Sequence, residues 1–115
     1  MTASLISQAF KKCKKEGRPA LLTYTVAGDP TKKISLDILK SISKNIDIIE
    51  SGMAFSTPIA DGGDIQTSAH RAIKAGINLN ETFKIVKKFK KIEYSKPVIL
   101  MGYWNLILQF NENKF

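Results

Sequence analysis

The sequence predicts an α/β fold in which one helix precedes three strand–helix units built around a parallel sheet. Three observations carry that reading. Short runs of β-branched and aromatic residues alternate with longer amphipathic segments, the order that parallel sheets with crossover helices produce. The run Ile46-Asp47-Ile48-Ile49-Glu50 is apolar on both faces, as a strand covered by helices should be. The unusual polar and glycine-bearing stretches follow the strands, which is where the working residues of such sheets lie. With 115 residues, 43% hydrophobic and 24% charged, the chain reads as one globular unit over 1–115, without repeat or linker.

Residues 4–15 carry Leu5, Ile6, Ala9, Phe10 and Cys13 at helical spacing, opposite Lys11, Lys12, Lys14 and Lys15. Gly17 ends that helix and Pro19 blocks its continuation. Residues 20–27, ALLTYTVA, read as a buried strand, and Gly28-Asp29-Pro30 as a turn. A helix follows from about Thr31 to Lys44, with Ile34, Ile38, Leu39 and Ile42 on one face. The strand at 46–50 runs into a polar stretch with glycine and proline at 51–63. A short helix at 64–74 stops before Gly76, the residue that closes helices most readily. Asn80 is expected to cap a helix over 81–92 that buries Phe83, Val86 and Phe89 and exposes its lysines. Pro97 opens a third strand at 98–101, and residues 106–115 read as the start of another helix.

Composition excludes several classes of function. The single Cys13 rules out an internal disulfide framework and a cysteine-cluster zinc site, and the single His70 rules out a histidine-rich metal centre. No apolar run is long enough to span a membrane. The amino terminus places its lysines after its apolar residues, the reverse of a signal peptide, so a cytoplasmic location is expected. The net charge of +8 invites a nucleic-acid reading, but only Arg18 and Arg71 among the 18 cationic residues are arginines. Arginine is the residue suited to bidentate phosphate and guanine contacts, so a solvated basic surface is expected, with no nucleic-acid partner. The Gly28-Asp29-Pro30 turn lacks the glycine pattern of a phosphate loop.

The chemistry-bearing candidates gather beyond the strands. Alternation puts Glu50 at the end of the row Ile46, Ile48, Glu50. A carboxylate there is costly unless it is paired or used, and burial would raise its pKa towards the range of general acid–base work. The alternative is that Glu50 sits past the rim in water. Asp61, within Ala60-Asp61-Gly62-Gly63, reads as a turn by itself and as the second carboxylate of an acid–base pair beside Glu50. Tyr24 and Tyr103 would converge on the same rim and could line a pocket for a flat ligand, or serve as core. His70 is expected at the surface, Cys13 in the core, and Trp104 packed among Leu106, Ile107 and Leu108.

Three segments then match one known pattern in order: TYTVAGDP at 23–30, ESGMAFSTPIADGGDIQ at 50–66 with His70-Arg71-Ala72 following, and PVILMGYWN at 97–105. They resemble the tryptophan synthase alpha subunit family, whose pattern is A-G-D-P, then E-L-G-x-P-F-S-D-P-x-A-D-G-x-x-I-Q, then P-x-x-L-M-x-Y-x-N. The resemblance implies a TIM (β/α)8 barrel with an extra N-terminal helix, of which this chain carries the first three strand–helix units. It implies retro-aldol cleavage of indole-3-glycerol phosphate to indole and glyceraldehyde 3-phosphate, with no cofactor or metal in this chain. It also implies a beta-subunit partner in an alpha2-beta2 assembly, which uses pyridoxal phosphate to make tryptophan. Glu50 matches the family's catalytic glutamate and Asp61 the aspartate that holds the indole N–H. Tyr24 and Tyr103 match substrate-binding positions of the indole pocket. The chain departs from the pattern at Ser51, Ala54 and Thr57, the last two in a loop that approaches the beta subunit in the family. A complete barrel needs roughly 250 residues and holds its phosphate site in later units. The isolated 115-residue chain is therefore expected to show no ordinary turnover, and a non-catalytic remnant or beta-binding module is the alternative reading.

Overall fold

A computed structural model describes residues 4–115. Helix α1 (Leu5–Lys15) leads into strand β1 (Leu22–Val26), followed by helix α2 (Lys32–Ile42) and a single 3-10 turn at Ser43–Asn45. Strand β2 (Ile48–Gly52), helices α3 (Gly63–Lys74) and α4 (Leu79–Ile92), strand β3 (Val98–Met101) and helix α5 (Trp104–Phe110) complete the order. The strands lie side by side as β1-β2-β3, parallel throughout. The expected architecture is therefore present. Three strands form an open sheet and do not close a barrel.

Local chemistry accounts for the helix starts. Ser4, Thr31 and Asn78 each accept a hydrogen bond from the amide three residues on, at Ser7, Ile34 and Glu81. Asn78, not Asn80, is thus the cap of α4, and the helix begins two residues earlier than expected. The oxygen of Asn78 sits where an unpaired amide awaits it, whereas Asn80 lies within the first turn. Gly76 takes a left-handed backbone (φ +91°) just past α3, in keeping with its role as a terminator. The α2 segment also ends early, since the last residues before β2 tighten into the 3-10 turn.

Register sets the two faces of the sheet. Tyr24, Glu50 and Ile99 are lateral neighbours, as are Thr25, Ser51 and Leu100. Leu22, Tyr24, Ile48, Glu50, Ile99 and Met101 therefore share one face and Thr23, Ile49, Ser51 and Val98 the other. The main core joins Ile49 to Leu39, Ala72, Ile85 and Phe89. Helix α4 contributes Thr82, Ile85 and Phe89 as its buried stripe, while Phe83 and Val86 are only half-buried. The spacing 82, 85, 89 is itself helical, so the expected stripe was turned by one position. On α1 only Cys13 is buried, and Ile6 and Phe10, expected inside, are 39% and 49% exposed. The open sheet leaves Leu22 and Met101 exposed in the same way.

At the amino ends of the strands, Arg18 forms two hydrogen bonds to Asp47 at 2.8 and 2.9 Å, and the Leu21 amide donates to the same carboxylate at 2.8 Å. The guanidinium beside it holds the Asp47 carboxyl well below the usual carboxylate range. This end is structural, and it leaves the opposite end free for chemistry.

Ser51 stands where the resembling pattern has leucine. It is buried at 1% exposure, and neither its hydroxyl nor that of Thr23 on the same face has a hydrogen-bond partner among the described residues. Burying a hydroxyl without a partner costs about 1–3 kcal/mol in proteins. Ser51→Ala and Thr23→Val are each expected to raise the thermal midpoint by several degrees. A fall in either case, measured by calorimetry, would mean that a bridging group satisfies the hydroxyl.

Candidate functional site

Beyond the carboxyl ends of the strands lies a cavity of about 330 Å3. Tyr24 of β1, Met53, Ala60 and Asp61 of the β2–α3 connection, and the stretch Met101–Trp104 at the end of β3 line it. A larger groove of about 600 Å3 between Phe55, Asn78 and Phe110 is lined by no ionisable side chain, whereas the smaller cavity has Asp61 and two tyrosines on its lining.

Each wall has a local cause. Tyr24 lies within β1 rather than at its end, and its phenol crosses over the backbone of β2 at Gly52. A Cβ on Gly52 would stand 2.1 Å from the Tyr24 hydroxyl, so only glycine admits the ring there. Burial, and after it the neighbouring charges of Asp61 and Glu50, push the Tyr24 phenol above its ordinary value, keeping it neutral. Asp61 follows a turn in which its amide donates to the Pro58 carbonyl at 3.1 Å. Its carboxylate accepts from the Tyr103 hydroxyl at 3.1 Å, and that same hydroxyl accepts from the Ala60 amide at 2.9 Å. The Phe55 ring packs on Tyr103 with centroids 5.1 Å apart.

Tyr24, Asp61 and Tyr103 are thus brought together as the sequence suggested. Glu50 is beside them but not with them. It is the lateral neighbour of Tyr24 on the same face, half-buried, and outside the residues that line the cavity. Two expectations for it are corrected. Because β2 extends to Gly52, Glu50 lies inside the strand rather than at its end, and its half-burial removes the reading in which it sits past the rim in open water. Its carboxylate makes no hydrogen bond or ion pair with another described residue, which leaves it able to meet a ligand. His70 is exposed and Cys13 buried, as expected. Trp104 is not packed in the core: it is 59% exposed at the cavity mouth.

The sequence reading missed the apolar lining. Met101 could have been found from its two-residue spacing behind Ile99 on the inward face, whereas Met53 gave no signal. It also missed the role of Asp29, which looked like a turn residue. Arg71 of α3 donates to both Asp29 oxygens at 2.7 and 2.8 Å, and the Ser68 hydroxyl donates to the same carboxylate. The turn after β1 is thereby fastened to α3, just behind the connection that bears Asp61.

Aromatic and methionine side chains supply the walls of the cavity, which suit a flat, largely apolar ligand, with the Asp61 carboxylate on the lining and the Glu50 carboxylate beside it on the sheet. Among the described residues no cluster of potential ligands could hold a metal ion, and no helix is long and apolar enough to cross a membrane.

The model of a family described as tryptophan synthase alpha chain matches residues 10–115. The tryptophan synthase alpha chain of Pelagibacter ubique (strain HTCC1062) is 65% identical over 112 residues, covering 97% of this chain and 42% of the relative. Among solved structures, tryptophan synthase subunit alpha from Legionella pneumophila str. Paris superposes with a TM-score of 0.92 at 32% identity, over 96% of this chain and 42% of that one. The tryptophan synthase A-subunit of Pyrococcus furiosus gives 0.79 at 43% identity, over 84% and 39%. The chain therefore spans about two fifths of the length of the relatives it matches.

Proposed function

The chain belongs to the tryptophan synthase alpha chain family, and we propose that its site serves the retro-aldol cleavage of indole-3-glycerol phosphate in tryptophan biosynthesis. The reaction runs within a barrel closed by further strand–helix units. Members of the family are lyases, and the reading needs no cofactor in this chain. The observation that carries it is the meeting of Tyr24, Asp61 and Tyr103 on one cavity, with Glu50 the lateral neighbour of Tyr24.

In this mechanism Glu50, as the carboxylic acid, gives its proton to C3 of the indole ring. The ring becomes an iminium cation whose N–H donates to the Asp61 carboxylate, so positive charge develops beside a fixed negative one. The Glu50 carboxylate then takes the proton of the hydroxyl on the side-chain carbon next to the ring. The C–C bond breaks, its electron pair returns to the ring, and indole and glyceraldehyde 3-phosphate are the products. Atoms and charge balance, and Glu50 ends protonated as it began. Tyr24 and Tyr103 hold the ring plane. The phosphate is held by later barrel units, in keeping with the general placement of such sites.

By the same reading the partner is the beta subunit, in an alpha2-beta2 assembly whose pyridoxal phosphate belongs to that subunit, and the setting is cytoplasmic. The test is indole release from indole-3-glycerol phosphate by residues 1–115 continued into the remaining units of the Pelagibacter ubique relative. Turnover is expected. A folded barrel that captures the beta subunit yet releases no indole would instead favour a binding module.

A further inference from the structure

We infer that Tyr103 is a positioning residue, the latch that holds the Asp61 segment against the sheet and selects which Asp61 oxygen faces a ligand. The ligand part of this inference rests on the function proposed above; the latch itself does not.

Residues 53–62 join β2 to α3, and Ser56, Thr57, Ile59 and Ala60 within them are exposed. The hydrogen bonds inside the segment are short-range, Ile59 to Thr57 and Asp61 to Pro58. Gln66 of α3 donates its side-chain amide to the Asp61 carbonyl at 2.8 Å and so fixes the backbone there, but it leaves the Ala60 amide and the Asp61 carboxylate unheld. Tyr103, just past β3, reaches it with a single hydroxyl that makes two contacts of opposite sense. The Ala60 N–H can only donate, so the phenolic oxygen is the acceptor there. The hydroxyl proton is then free to go to Asp61 Oδ2, the other atom within reach. The Phe55 ring, tilted 39° against it, packs on the phenol from the side.

The consequence is chemical as well as mechanical. Oδ2 of Asp61 already accepts from Tyr103, while Oδ1 has no bond to a described residue. Oδ1 keeps its full accepting capacity and is the oxygen more open to a ligand N–H. Among the described residues no cation pairs with Asp61, so this one hydrogen bond sets its orientation.

Tyr103→Phe keeps the ring, its contact with Phe55 and the cavity wall, and removes only the hydroxyl. If Tyr103 were just an aromatic wall, that change would be neutral. We expect hydrogen exchange of the Ala60 amide to speed up roughly tenfold, the loss of about one hydrogen bond, with β2 and α4 amides unchanged. Affinity for indole, the probe, should fall roughly three- to tenfold on the same grounds. In an Asp61→Ala background Tyr103→Phe should have no further effect on indole, because its action passes through Asp61. Asp61→Asn, which keeps an acceptor for the hydroxyl, should leave the Ala60 amide protected.

Unchanged Ala60 exchange in Tyr103→Phe overturns the latch. So does additive loss of indole affinity in the double variant. Should Tyr103→Phe lose protection throughout the chain, the unmodified protein decides: an Ala60 amide exchanging at the free-peptide rate overturns the inference, and a protected one supports it. Faster Ala60 exchange in a protein that takes up no indole supports the latch and overturns the indole reading alone.

Discussion

Glu50→Gln is expected to lower kcat for indole release by about 10²–10⁴-fold, the usual contribution of a general acid–base, in the barrel completed from the Pelagibacter ubique relative. Glutamine has nearly the same shape and keeps its place beside Tyr24 on the same face of the sheet. It cannot give or take a proton at C3 or at the hydroxyl. Because the unmodified carboxylate makes no hydrogen bond or ion pair with another described residue, little structure depends on its charge. KM should therefore hardly move, and the loss should fall on kcat, as for a group used only in the transition state. Steady-state kinetics on the paired variants checks this. A change confined to KM would recast Glu50 as a binding group, and full activity would remove it from the mechanism.

Gly28→Ala is expected to destabilise the fold by roughly 2–5 kcal/mol, from a left-handed backbone forced on an L residue together with overpacking. Gly28 has φ +90°, and an added Cβ would lie 2.8 Å from three atoms of the buried Ile77 side chain. Its amide also donates to the buried Ser35 hydroxyl at 2.9 Å. Neither partner can retreat cheaply, since Ile77 belongs to the main core. The damage should spread to the Asp29–Arg71 contact and from there to the connection bearing Asp61. Urea titration reads the loss as a lower midpoint. Combining Gly28→Ala with Ile77→Val, which removes one of the three crowding atoms, should recover only a small part of the loss, and complete recovery would mean that backbone strain contributes nothing.

Much of this molecule was legible from its residues, for reasons that differ element by element. Period and punctuation located every helix and strand, because Gly17 and Gly76 readily take the left-handed backbone that ends a helix and Pro19 and Pro97 cannot continue one. The strands' true limits were less legible. Only pairing shows that β2 runs on through Ser51 to Gly52, which moved Glu50 from the strand's edge into its interior. The cap of α4 was misplaced because Asn78 and Asn80 are equally good caps in isolation, and tertiary packing chooses between them. At the site, carboxylates after a strand were a signal, whereas the phenol hydroxyl joining residues 60, 61 and 103 was not. That contact spans more than forty residues and depends on where a sheet brings its ends. Ile6, Phe10 and Trp104 were assigned to a core by their apolar character, which says what a side chain prefers and not whether a partner is there to cover it.

If the carboxyl ends of the three strands form an indole site, an amide NMR titration of the chain with indole will show it. Saturable shifts are expected at Tyr24, Met53, Ala60, Asp61 and Met101–Trp104, including the side chain of the single tryptophan, with a much weaker response in Asp61→Ala. An absence of saturable shifts, or shifts gathered instead around Arg18 and Asp47 at the opposite end of the sheet, would contradict it.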